Sequence, residues 1–430
     1  MTRQFGIRRG SLALLLGGLV LSLALSPAAS ARELNVWVAE YNPQLATIME
    51  QEILPEFEAR YGVDVVVTVV GWDQMESKLK VATAAGTPPD IFEWGNQARE
   101  FYSAGLLADL TSYYERSGLA EEFFQPLLGP VTIGGRLYAV PFTYDVRTIF
   151  YLSHVWEQAG LDSNAPPVTW DDLIEYTRRL TRVEGNAVTR EGYALERLTL
   201  GGVTTYQDFQ PYLWQAGGTM LDEETLAPRF HEGPGVETVT LLRELVRLSH
   251  PEGTEPLVRQ FSTNFINGQY GMYYGGVWVA KFTQDASPEL SANLRAVVPP
   301  TRHREPAAIV FVNWLAVHPG SSQEDLAWEL LAYLMQPEHI VRINDALGAP
   351  PPLREVALDP DTYGSRIYRP YLEAVAYARG TYGLPERTLY SMDVVGNWVK
   401  RALDGEMAPE TALEQAAHEW NAIISSFGQQ

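Results

Sequence analysis

From Leu34 to Trp94 the hydrophobic period alternates between that of a strand and that of a helix, which restricts the fold more than any other feature of the chain. Leu34-Asn35-Val36-Trp37-Val38 is a short β-rich run, after which Leu45, Ile48, Met49, Leu54 and Phe57 recur at roughly helical spacing until Gly62. Val63 to Val70 is almost continuously apolar and β-branched, the pattern of a strand buried on both faces of a parallel sheet. A helix over 74–85 ends at Gly86, and Asp90-Ile91-Phe92-Glu93-Trp94 makes a third strand, entered through Pro88-Pro89. Strand and helix in turn predict an α/β fold with a doubly wound sheet. In such sheets ligands sit outside the carboxyl ends of the strands, so the loops starting near Glu40, Trp72 and Gly95 are expected to face one cleft.

The 430 residues suffice for two or three domains, and 46% hydrophobic with 20% charged residues excludes a disordered or collagen-like chain. Arg3, Arg8 and Arg9 precede an apolar stretch from Leu12 to Leu25, and Pro27 leads into the small-x-small pattern Ala29-Ser30-Ala31. Residues 1–31 therefore read as a secretory signal peptide, because the apolar run is shorter than the ~20 residues a spanning helix needs. Arg8-Arg9 also permits a twin-arginine signal, which Gly10-Ser11-Leu12 fits poorly. From Arg32 onward 29 basic residues face 53 acidic ones, a formal charge of −24 that opposes nucleic-acid binding. There is no cysteine, which excludes disulfides, thiolate metal sites, cysteine nucleophiles and a lipid-anchored cleavage point. The expected product is a soluble periplasmic protein, not lipid-anchored and not inserted in the membrane.

Further along, Arg136 to Val140 reads as a strand broken by Pro141 and Ile149 to Leu152 as another, with a crossing between lobes expected between them. Thr169 ahead of Asp171-Asp172 caps a helix running to about Leu180. Helices fit 235–249, 323–335 and 408–424, and Ile309 to Val317 fits a buried strand. Pro350-Pro351-Pro352 is a stiff segment suited to another inter-lobe connection. No P-loop, dinucleotide fingerprint, nucleophile elbow or H-E-x-x-H occurs in the mature chain, and the seven histidines are scattered singly, so neither cofactor nor metal is expected.

Several segments in order resemble the carbohydrate-binding family of extracellular solute-binding proteins of ABC importers, the family that includes maltose-binding protein. They are Gly86-Thr87-Pro88-Pro89-Asp90-Ile91, Ala104 to Leu110, Arg136 to Pro141, Ala159-Gly160-Leu161 with Val168 to Leu173, Phe265 to Met272 with Gly276-Val277-Trp278, and Ala402 to Glu406 with Ala412-Leu413. The resemblance implies two α/β lobes, each a mainly parallel doubly wound sheet, joined by several hinge crossings and closing on a sugar delivered to an ABC permease. The first lobe is expected at 32–142 plus 300–345 and the second at 143–299 plus 346–430, in a protein without enzymatic activity; the sequence leaves oligomeric state open, with a monomer as the default expectation. Tyr151-Leu152-Ser153 and Asn313-Trp314 depart from the family pattern.

Sugar binding requires flat apolar faces beside planar polar groups. Glu40, Tyr41, Trp72, Asp73, Trp94, Asn96 and Gln97 leave the first three strands toward the expected cleft. Each of the following has a structural alternative: a solvated turn for Glu40 and Tyr41, a helix cap for Asp73 and Asn96, core packing for Trp94. Tyr144 and Asp145 follow Pro141, where the family places an acidic sugar ligand; an ion pair with Arg147 is the competing role of Asp145. The resemblance adds Tyr206 and Gln207, and Trp278 after Gly275-Gly276 as a stacking ring; Trp314, in an apolar strand, suits stacking or burial equally. Trp37, Trp156, Trp170, Trp328, Trp398 and Trp420 lie in strands or amphipathic helices and are expected in the core. Two other readings stay open: a secreted glycoside hydrolase or lyase with paired carboxylates, and a same-fold receptor for a non-sugar, for which Arg302, Arg304 and Arg354 are the cations of interest.

Overall fold

A computed structural model describes residues 32–40, 43–95, 98–297, 306–363, 368–381 and 388–427. The signal peptide expected over 1–31, Tyr41, Asn96, Gln97, Arg302 and Arg304 lie outside them, and no helix among the described residues is long and apolar enough to cross a membrane.

The strands are β1 (Arg32–Ala39), β2 (Val63–Val70), β3 (Ile91–Gly95), the short pair β4 (Thr132–Ile133) and β5 (Arg136–Leu137), β6 (Val140–Val146) and β7 (Thr148–Leu152). β8 (Arg182–Glu184), β9 (Ala187–Tyr193), β10 (Tyr270–Gly275), β11 (Leu294–Val297), β12 (Ala308–Val317) and β13 (Ala378–Gly380) follow. The first sheet runs β13-β12-β3-β1-β2, with β6 also on β12; the second runs β11-β7-β10-β9-β8. The expected alternation is present. β1 is followed by helical residues 43–61, which contain a π-helical stretch at Met49–Ile53 and end at Gly62 with φ +61°, then by β2, the Trp72–Ala84 helix and β3.

Three expectations change. Among the described residues β2 is an edge strand paired only with β1, so Val66 and Val69 are 40% and 49% exposed instead of buried on both faces. The sheets are mixed rather than mainly parallel. In the first, β12 opposes β3 and β6; among the described strands of the second, only β9 and β10 run parallel. The reason is connectivity, since β7 leaves the crossing while β10 and β11 return toward it, and adjacent outgoing and returning strands must be antiparallel. The triple-proline segment does not cross between lobes: Phe124 N–H donates to Pro352 O at 3.3 Å and Phe123 bridges Leu353, both within the first lobe.

Strand pairing also sets where the chain passes between sheets. β6 stays on β12 through Val146, and Arg147 alone separates it from β7. The second passage runs from Val297 to Ala308, and the third from β13 to the Thr388–Leu403 helix, which packs on the Gly202–Gln215 helix of the second lobe. Against the expected divisions at 142/143 and 345/346, residues 143–146 and 378–380 pair in the first sheet.

Local signals hold where they are strong. Thr169 and Asp172 form a capping box on the Trp170–Leu180 helix. The helices expected at 235–249, 323–335 and 408–424 are Gly233–Ser249, Glu324–Leu334 and Pro409–Phe427. Trp156, Trp170, Trp328 and Trp420 are buried, and Trp37 and Trp398 are partly buried against the core.

Candidate functional site

The site starts from β6, whose alternation turns Thr143 and Asp145 one way and Tyr144 the other, while its backbone is held along β12. Asp145 Oδ1 accepts the N–H of Val277 at 3.0 Å, in the turn that opens the Trp278–Ala286 helix of the second lobe. Glycine makes this approach possible. A Cβ on Gly276 would lie 2.0 Å from Asp145 Oδ1 and 2.1 Å from Trp278 Cζ3. Asp145 Oδ2 also pairs with Arg147 Nε at 3.0 Å. The Arg147 guanidinium then lies 4.0 Å from the ring centre of Trp278, in the second lobe, and 5.0 Å from that of Phe311, in the first.

A cavity of about 320 Å³ opens here between the two sheets. Tyr144, Asp145, Phe311 and Asn313 line it from the first lobe, and Val277, Trp278 and Lys281 from the second. Asn313 continues it toward a second aromatic group, because Gly95 lies opposite Asn313 in the β3–β12 register and a Cβ on Gly95 would meet Asn313 Oδ1 at 2.5 Å and Trp72 Cη2 at 3.5 Å. Trp72 and Trp94 are 5.6 Å apart between ring centres, both only partly buried.

Buried polar atoms without partners occur at this opening and behind it in both lobes. Among the described residues Tyr144 Oη, Tyr273 Oη, Tyr274 Oη, Trp278 Nε1 and Arg147 Nη1 are buried without a hydrogen-bond partner. Such atoms are costly unless something bonds them. Behind them Arg197 pairs with Asp208 at 3.4 Å and donates to Gln207 Oε1 at 3.2 Å. Burial raises the Asp145 and Asp208 carboxyls above the ordinary carboxylate value, against the pull of Arg147 on the first and of Arg197 on the second. Burial likewise raises the phenols of Tyr144, Tyr273 and Tyr274, so all three remain protonated donors at neutral pH.

The structure thus brings Trp72, Trp94, Asp145 and Trp278 to one region between the lobes; Tyr144 borders the cavity, but its ring turns to the other strand face and stacks on Tyr371 in the first-lobe core. The structure does not bring Trp314 or Tyr206 there. Trp314 is fully buried, edge-on to Phe92 and Phe101, because its strand face turns into the first-lobe core. Tyr206 is fully buried under the Thr388–Leu403 helix, its hydroxyl accepting from Gln210 Nε2 at 3.0 Å. Gln207, one position on, faces Arg197. Glu40 follows β1 and is exposed, its N–H donating to Val70 O. Trp72 and Asp73 belong to the first turn of a helix rather than to a loop, and only the backbone of Asp73 is described. Arg354 pairs with Glu355 away from the cavity.

Sequence reasoning missed Arg197, Asp208, Tyr273, Tyr274 and Phe311. Tyr273-Tyr274 directly continues the Phe265 to Met272 segment and was within reach; Arg197 and Asp208 carry no local signal.

A family model described as bacterial extracellular solute-binding protein matches residues 42–339. The diacetylchitobiose binding protein DasA of Streptomyces coelicolor is 24% identical over 408 residues, covering 91% of this chain and 90% of the relative. The sugar-binding protein MalE of Xanthomonas citri superposes with a TM-score of 0.80 at 20% identity, over 93% of this chain and 100% of the other. The cyclic α-maltosyl-1,6-maltose binding protein of Arthrobacter globiformis does so at 0.76 and 22%, over 92% and 99%. These likenesses show a shared two-domain α/β fold.

Proposed function

This chain belongs to the bacterial extracellular solute-binding protein family, and from that premise we propose that it captures a mono- or oligosaccharide between its lobes and presents it to a membrane ABC permease. One observation carries the reading: an inter-lobe cavity where the indole of Trp278 and the ring of Phe311 stand beside Asp145 and Asn313, with Trp278 Nε1 buried and unbonded among the described residues. Hydroxyls of a sugar supply both donors and acceptors to such atoms, and its C–H faces suit the rings. The names of relatives, among them diacetylchitobiose-, maltotriose- and lactose-binding proteins, support carbohydrate as the substrate class.

The ligand set in this reading is Trp72, Trp94, Asp145, Trp278 and Asn313, with Glu40, Tyr41, Asp73, Asn96, Gln97, Tyr144 and Gln207 as outer candidates. The first lobe comprises 32–146 and 306–381, and the second 148–297 and 388–427, with Arg147 at the first crossing. The protein acts as a monomeric receptor, not an enzyme, exported to the periplasm through its leader without a lipid anchor. Closure changes the outer surface, which lets a permease distinguish loaded from empty receptor.

Titration of intrinsic tryptophan fluorescence against a panel of mono- and oligosaccharides tests this. A saturable change with at least one sugar, recovered unaltered afterwards, is expected. Silence across the panel, or conversion of the sugar, overturns the reading.

A further inference from the structure

The second lobe carries a groove whose lining holds more cations than acids, in a chain whose mature part has a formal charge of −24; across its Arg243–Arg247 ridge lies a second groove bordered by Asp171, Glu237, Glu244 and Glu410. The first groove, of about 750 Å³, runs beside the last turns of the Gly233–Ser249 and Thr388–Leu403 helices. Arg243, Arg247, Arg259 and Lys400 line it above apolar Leu257 and Leu403, and its one carboxylate, Asp404, pairs with Lys400. Among the described residues Arg243, Arg247 and Arg259 pair with no carboxylate, whereas Arg60, Arg178 and Arg369 each meet a neighbouring glutamate. Arg247 lies in a last helical turn, where the helix dipole favours a cation. Arg259 lies in a loop, beyond reach of that explanation.

Arg259 Nη1 donates to Thr199 Oγ1 at 2.7 Å, tying two loops together. The residue beside each partner is apolar and projects into solvent: Leu200 is 61% exposed and Val258 75%. Unpaired guanidiniums next to exposed apolar tips match a bilayer surface, where cations meet headgroup phosphates and short apolar side chains enter the headgroup boundary. We propose that this face of the second lobe docks reversibly on anionic phospholipid. A free phosphate ion would engage the arginines but leave Leu200 and Val258 without a role. The acidic remainder is repelled by the same surface, so the contact also orients the molecule. Surface charge and exposure support this docking face independently of any sugar bound between the lobes.

Co-sedimentation of the mature chain with phosphatidylglycerol-containing vesicles, against pure phosphatidylcholine vesicles, tests it. Binding to the anionic vesicles alone is expected, lost at about 1 M salt, where screening acts within about 3 Å. The pair Arg247→Glu and Arg259→Glu lowers partitioning at least tenfold, since each cation near such a surface contributes about fivefold. Val258→Asp lowers it as well, and millimolar inorganic phosphate leaves it standing. Circular dichroism melting of each variant verifies the fold. Equal or absent binding to both vesicle types, indifference to the substitutions, or abolition by inorganic phosphate without dependence on Val258 overturns the proposal.

Discussion

At Arg147 one guanidinium touches both lobes: Asp145 and Phe311 on one side, Trp278 on the other. Arg147→Leu leaves the Asp145 carboxylate with only the Val277 N–H, and the expected loss is about 3 kcal/mol in urea unfolding, the lower end for a broken buried pair. A loss below about 1 kcal/mol would show that solvent replaces the pair. The raised carboxyls give a pH prediction. A carboxyl whose folded pKa exceeds its unfolded value binds a proton on folding, so its contribution is greatest below the ordinary 3.8 and falls as pH rises through the folded value. Relative to Asp208→Asn, the unsubstituted chain should lose stability as pH rises from below 3.8 toward neutrality, measured by urea unfolding across that range. An advantage that grows with pH would contradict the burial of Asp208. The position of Trp94 at the carboxyl end of its strand was legible from chain direction, whereas Trp278 was reached only through the family resemblance. The burial of Tyr206 and Trp314 was not legible, because which face of an element is covered depends on its neighbours.

At the scale of elements, the Trp278–Ala286 helix is placed by the Gly275-Gly276 turn and its bond to Asp145. Gly276→Ala drives a methyl into the Asp145 carboxylate and the Trp278 ring, so the helix must shift. We expect sugar affinity to fall at least tenfold, because a ring displaced by about 1 Å loses its contact geometry. Calorimetric titration checks this, and unchanged affinity would show that the turn has room. Strand and helix positions on both sides of the molecule followed from periodicity and capping, as with Thr169 and Asp172. The direction of each strand did not, because pairing partners lie far apart in sequence; β12 meets β3 more than two hundred residues away.

For the whole molecule, ligand held between two lobes joined at Arg147 should resist both opening and unfolding. Sugar at a hundredfold its dissociation constant adds about 2.7 kcal/mol, read as a rise in thermal midpoint with a smaller radius of gyration in solution scattering. A rise without compaction would indicate binding to one lobe alone. The sequence by itself determined the α/β alternation, the helix caps, the acidic charge and the absence of thiol chemistry, since these depend on composition and on neighbours within a few turns. Only the tertiary structure decided that β2 lies at an edge, that Trp314 and Tyr206 are core, and that Asp145, Phe311 and Trp278 meet at the cavity. Those outcomes depend on contacts between distant segments, whose energies become visible only once the chain has brought them together.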